Sequence, residues 1–287
     1  MSSISLPEKL STAQRKQIAA AADEIIAAAM NTEPMDKSAC RKAIERAYAY
    51  LHLPMPELRF FDSPMAAMAE MQKLVPSHSE EPVMPLNLEA IMEKTGLSMQ
   101  AVLQNENNAM GNLVFDAIAS AQPRDLSGWG YEEDLSFHGH INEVTFPLAW
   151  QSGWEPFAKA VDKHVGRLIH FEHAVTDALE AAVQRRDQEW LLYSGGSANP
   201  WGAAEQFARA QALVALGLVN IAALPALTLG RAVLESCGWV NAFRKLCLVC
   251  DRPAALSQEG NTRNAEGLRT RVIWRDGQEC VQVWTDD

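Results

Sequence analysis

The sequence predicts an α+β protein that is mainly α: a helical body carrying a short N-terminal strand and a C-terminal antiparallel β-hairpin unit. Three observations predict it. Alanine-rich stretches with apolar residues at helical spacing fill most of the first 235 residues. The run LRFF (58–61) is bounded by prolines and Ser63-Pro64. From residue 236 the period changes, giving the apolar run LCLVC and then RTRVIWRDGQECVQVW, whose Asp-Gly pair marks a hairpin turn.

Taken in order, Thr12 to Met30 reads as a first helix and Asp36 to Leu51 as a second, with Cys40, Ile44, Ala47, Tyr48 and Leu51 on one face. A strand follows around Leu58 to Phe61. Ser63-Pro64 has the order of an N-cap and first helical residue, opening a helix over Met65 to Val75. Beyond the polar stretch Pro76 to Pro85, LEAIMEKTGLSMQAVLQ reads as two short helices around Gly96, and Leu113 to Ser120 as another. The helical period then vanishes from Ala121 to Gly153, which holds Trp129, Tyr131 and Trp150, with Trp154 just beyond. Irregular loops of this length are uncommon and often functional. Glu155 to Trp190 is read as one long helix with Phe157, Val161, Val165, Leu168, Val175, Leu179 and Val183 in its stripe, followed by helices over Ala203 to Leu216 and up to Leu234. One compact domain is expected, in four regions: 1–120, helical with one strand; 121–154, the aromatic loop; 155–235, helical; 236–287, the C-terminal β unit.

With 287 residues, 48% of them hydrophobic, the chain can bury a sizeable core. No signal-peptide pattern opens it, and its most apolar stretch, Ala210 to Ala226, is interrupted by Gly217, Asn220 and Pro225. A cytoplasmic protein without a membrane segment is expected. Five unevenly spaced cysteines fit reduced thiols. The net charge of −11 repels phosphate backbones. Although LEAIMEKTGLSMQAVLQ has a helix-turn-helix outline, Met92 stands where a small residue lets the helices cross, and Ser98 to Asn108 has no lysine or arginine. No nucleic-acid partner is expected.

No G-x-S-x-G, Walker-type phosphate loop or G-x-G-x-x-G occurs, and no cofactor is implied. Cys237, Cys247, Cys250 and Cys280 have a zinc-like count. Leu248-Val249 between the paired cysteines are strand residues, however, and aim the two sulfurs apart. No metal site is expected. His138 and His140 lie two apart in the aromatic loop, where they read either as a metal-binding or acid/base pair, with Glu132, Glu133 and Asp134 as candidate carboxylate ligands, or as residues of a solvated loop. His170 and His173 share a helix face with Lys163, Arg167 and Asp177 and read as wet surface. Glu172 falls between Leu168 and Val175, either at the edge of the packed stripe or as a buried carboxylate needing a partner. YSGGSANPWG reads as a connector between helices.

The blocks TEPMDKSACRKAIERAYAYLHLPMPELRFFDSP, the Trp201 region and CGWVNAFRKLCLVCDRP followed by RDG resemble a bacterial family known as domain of unknown function 6745. Their order carries the resemblance: Thr-x-Pro (32–34), Pro-x-Pro before a strand that ends in Ser63-Pro64, Trp201, Gly238-Trp239, Arg252-Pro253 and Asp276-Gly277. The family pattern places Gly-Arg-Leu-His and then Gly-Pro-Ala between the last two. Here Gly260-Asn261-Thr262-Arg263 and Gly267-Leu268-Arg269 stand instead, without the histidine. The resemblance implies no activity.

Two functional expectations follow. In the first, the chain is an intracellular binding or regulatory protein without catalysis, engaging an acidic protein or an anionic small molecule. Trp239 and Arg252 then either lock the sheet to the helices or form the floor and cation of an anion pocket. A two-residue turn at Asp276-Gly277 pairs Arg275 with Gln278, Ile273 with Cys280, Arg271 with Gln282 and Arg269 with Trp284, making Arg269, Arg271 and Trp284 an exposed cationic strip while Val272, Trp274, Val281 and Val283 face the helices. In the second, the chain is an enzyme for a small anionic substrate, with His138 or His140 as acid/base and Asp62 or Arg252 supplying charge.

Overall fold

The computed structural model describes residues 6–50, 54–74, 148, 151–182, 197–223, 225–242, 246–262 and 266–285. The expected elements between residues 75 and 147, among them the helical pair around Gly96, lie outside them.

Local chemistry sets the first elements. Ser11 opens α1 (Thr12–Ala29) with a reciprocal capping box: its hydroxyl accepts from the Gln14 N–H while Gln14 reaches back to the Ser11 N–H. Ile18, Ala21, Ala22, Ile25 and Ala29 recur at helical spacing and are buried. Asp36 accepts from the N–H groups of Ser38 and Ala39 at the start of α2 (Lys37–Tyr50), whose buried face is Cys40, Ala43, Ile44, Ala47 and Tyr48. After β1 (Glu57–Phe61), the Ser63 hydroxyl accepts from the Ala66 N–H and Pro64 begins α3 (Pro64–Leu74).

The expected long helix from Glu155 is two helices, α4 (Trp154–Val165) and α5 (Ile169–Ala182). The chain tightens between them: the N–H groups of Leu168 and His170 bond three residues back, to Val165 and Arg167, at 2.9 and 3.3 Å. Gly166, with low helix propensity, sits at this break, which the unbroken apolar stripe concealed. The helical set is completed by α6 (Ala204–Ala215) and α7 (Pro225–Leu234). Arg209 of α6 ties into α4 through the Asp162 carboxylate at 2.9 Å and stacks over Trp154.

Among the described residues two sheets complete the α+β fold. The first is ordered β1, β4 (Leu246–Cys250), β3 (Trp239–Ala242), β2 (Ser197–Ala198). Here β1 runs parallel to β4, Leu58 beside Cys247, and the other pairs are antiparallel. The run LCLVC therefore belongs to the sheet of the N-terminal strand, not to a separate C-terminal unit, and every residue of it is buried, as a central strand covered on both faces requires. The connector YSGGSANPWG contributes Ser197-Ala198 as the edge strand.

The second sheet, β5 (Ala255–Gly260), β6 (Leu268–Ile273), β7 (Glu279–Trp284), is antiparallel and packs on α5. Its hairpin register corrects the expectation by one residue: Arg269 pairs with Val283, Arg271 with Val281, Val272 with Cys280 and Leu268 with Trp284. The cause is the turn. The Gly277 N–H bonds to Trp274 O at 3.1 Å, the Trp274 N–H bonds to Gln278 O at 2.8 Å, and only Gly277 takes positive φ, so the loop has three residues ending in a glycine bulge. Because side chains alternate, the slip turns every β7 side chain to the other face.

Candidate functional site

The short motifs scattered along the chain meet at one place. Asp251, at the exit of β4, accepts from the Met35 N–H and the Arg252 N–H, each at 2.7 Å, and lies 3.2 Å from the Arg275 guanidinium. Arg252 donates to the carbonyl of Glu33 at 3.1 Å and also to that of Glu235. Arg275 donates to Thr32 O, and the Ser63 hydroxyl donates to the Asp276 carboxylate. Trp201 adds a hydrogen bond from its indole to Ala29 O at 2.9 Å and packs between Phe171, tilted, and Trp274, edge-on, with ring centroids 5.9 and 6.1 Å away. The α1–α2 loop, the β1–α3 turn, the end of α7, the β4 exit and the β6–β7 turn are thereby clasped together.

Glycine at 238 is part of this clasp. A Cβ there would stand 2.3 Å from Asp251 O and 3.0 Å from the Arg252 Cα, so only glycine lets the α7–β3 junction pass the β4 exit. Trp239, next in sequence, is buried opposite Cys250. Of the residues expected to bind an anion, Arg252 thus has its guanidinium on backbone carbonyls and Trp239 lies in the core. The geometry assembled around them is that of a lock between sheet and helices. Asp62 is exposed in the β1–α3 turn. His138 and His140 lie outside the described residues.

The buried thiols Cys40, Cys237, Cys247 and Cys250 lie in the core cluster with β4. Burial pushes Cys247 and Cys250 well above the ordinary thiol range, as expected for thiols packed as small apolar groups. Among the described residues no three histidine, cysteine or acidic side chains are grouped to hold a metal ion.

On the far side of the second sheet lies the expected cationic strip, with altered membership. Arg269 and Arg271 point outward, as their exposure shows, and the residues beside them are Val283 and Val281, which are 55% and 41% exposed. Trp284 is on the opposite face. Arg271 is held at 2.6 Å by Glu279, whose hydrogen bond from Arg271 keeps its carboxyl below the ordinary carboxylate range. Arg269, opposite Glu259 on β5, makes no ion pair among the described residues.

Facing inward, Trp284 lies between His170 and His173 of α5, with centroids 4.9 and 5.1 Å away, and Gln282 bonds to Asp177. The helix face that reads as wet surface is therefore the seat of the sheet. Burial, with His173 and Arg167 alongside, holds the His170 imidazole below its ordinary pKa. Glu172 faces elsewhere and does have a partner, accepting from the Asn199 side chain at 2.9 Å. The Asn199 side-chain Oδ1 in turn accepts from the N–H groups of Trp201 and Gly202, shaping the loop that delivers Trp201.

Sequence reasoning missed Asp251 as the partner of Met35, Arg252 and Arg275, and Asp276 as the partner of Ser63. Asp-Arg-Pro marks a strand exit and Arg-Asp-Gly a turn, but neither pattern names a partner distant in sequence. Comparison with family models, with curated proteins and with solved structures finds no match to the chain.

Proposed function

We propose that the protein is an intracellular binding or regulatory protein without catalysis of its own, and that it docks an acidic segment of a partner protein on the outward face of its C-terminal sheet. The observation that carries this reading is the surface of β6 and β7: two half-exposed valines beside Arg269 and Arg271 on a chain of net charge −11. Exposed apolar side chains flanked by guanidinium groups are the composition of a docking surface. At physiological salt the overall negative charge is screened beyond about 8 Å, so Arg269, which makes no ion pair among the described residues, is the local cation available to an acidic chain. Arg252 and Trp239, the alternative anion site, are engaged in the clasp. The buried free thiols support the intracellular part of the reading.

The test is fluorescence anisotropy with a labelled synthetic peptide of alternating glutamate and valine. The wild type should bind it, more weakly as salt rises. Arg269→Glu with Arg271→Glu should weaken binding more than tenfold while shifting stability by no more than about 1 kcal/mol, as is usual for surface positions. Absence of binding, or equal binding by wild type and variant, sinks the reading.

A further inference from the structure

The face of the C-terminal sheet and its edge are different surfaces, and the edge has its own chemistry. The Trp274 N–H bonds to Gln278 O, so 274 and 278 form a hydrogen-bonded pair. Alternation along the antiparallel ladder makes Val272–Cys280, Thr270–Gln282 and Leu268–Trp284 the bonded pairs of β6 and β7. The other side of β6 agrees, since Ile273 O and Gly267 O accept from Ala254 and Asn261 on the β5 side. Hence the backbone N–H and C=O groups of Glu279, Val281 and Val283 point away from β6 along the outer edge. Among the described residues no hydrogen bond ends on them. Edge strands are commonly guarded by lysine, proline or a bulge, and residues 280–284, CVQVW, contain no charge or proline.

We propose that this edge pairs with the β7 edge of a second copy, joining two three-stranded sheets into one of six strands. The occupant is argued from charge as well as from the open backbone. With the two-fold axis at Val281, that residue meets its own copy, and Val283 lies opposite Glu279 of the second copy. Arg269, which pairs with Val283 on the other side and makes no ion pair among the described residues, then reaches across Val283 toward that carboxylate. The match is made twice by symmetry, which an unrelated strand has no built-in reason to supply. Glu279 would sit between Arg271 of its own chain and Arg269 of the other. This goes beyond the binding reading: it concerns the strand edge, and of the outward face it engages Arg269 and Glu279.

Sedimentation equilibrium across a wide concentration range tests it. The wild type should reach the mass of two chains. Val281→Pro removes an N–H that makes no bond within the chain, so it should leave the far-ultraviolet circular dichroism intact and give a monomer. Val281→Lys places like charges on the two-fold axis and should also give a monomer, whereas Val283→Lys places a lysine opposite Glu279 of the second copy and should stay dimeric. A monomeric wild type overturns the proposal, and if it still binds the glutamate-valine peptide, the binding reading stands without it. A dimer that survives Val281→Pro, or one that Val283→Lys disrupts as much as Val281→Lys does, also overturns it.

Discussion

The Arg275 guanidinium lies 3.2 Å from the Asp251 carboxylate, joining the β6–β7 turn to the exit of β4. Asp251 holds more than this ion pair, because its other oxygen takes the N–H groups of Met35 and Arg252. One side chain thus fixes three segments that are far apart in sequence.

Replacing Asp251 by alanine should destabilise the fold by about 2 to 3 kcal/mol. The change strands two partly buried N–H groups and leaves Arg275 without its counter-ion. Asp251→Asn, which keeps an acceptor for the N–H groups and loses only the charge, should cost about half as much. Urea unfolding of the three proteins measures this. A loss below about 1 kcal/mol for alanine would show that water replaces the clasp without penalty.

The clasp also marks what the sequence does and does not reveal. Ser63-Pro64 was legible as a helix start, and Asp276-Gly277 as a turn, because capping and positive φ are local properties. The turn length was not legible: Asp-Gly suits both a two-residue turn and a three-residue loop with a bulge, and that single residue decides whether Trp284 joins the arginines or the histidines. The parallel pairing of Leu58 with Cys247 leaves no mark in either run, since any two short apolar strands fit each other. Arg252 gives no hint of its acceptors either. They are main-chain carbonyls of Glu33 and Glu235, which carry no residue signature.

Two glycines separate steric from conformational demand. Gly277 has φ 86° with open space around it, so Gly277→Ala meets only the left-handed backbone penalty, about 1 to 2 kcal/mol. Gly238 takes no positive φ, yet its added methyl would stand against the Asp251–Arg252 main chain, which the clasp prevents from yielding. Gly238→Ala should therefore cost more, about 3 kcal/mol, as severe overpacking does. Parallel urea titrations decide the order. A Gly238→Ala protein as stable as Gly277→Ala would show that the β4 exit moves aside freely.

The seat of Trp284 predicts a pH dependence. His170 packs against the indole, its Nδ1 has no hydrogen-bond partner among the described residues, and the titratable and charged groups beside it are His173 on α5 and Arg167 just before that helix. From the sheet it packs against Trp284, which carries no charge. Burial lowers the His170 pKa in the fold, so the unfolded chain takes up this proton first as pH falls. The stabilisation is fully present above about pH 6.5, where the imidazole is neutral in both states, and is lost as pH falls below that value toward the folded pKa. His170→Phe keeps an aromatic ring against Trp284 and removes the titration. Unfolding midpoints between about pH 7.5 and pH 5 should fall more steeply for the wild type than for His170→Phe. Equal slopes would mean that His170 is as easily protonated in the folded protein as in the unfolded chain, and that the sheet holds α5 without regard to its charge.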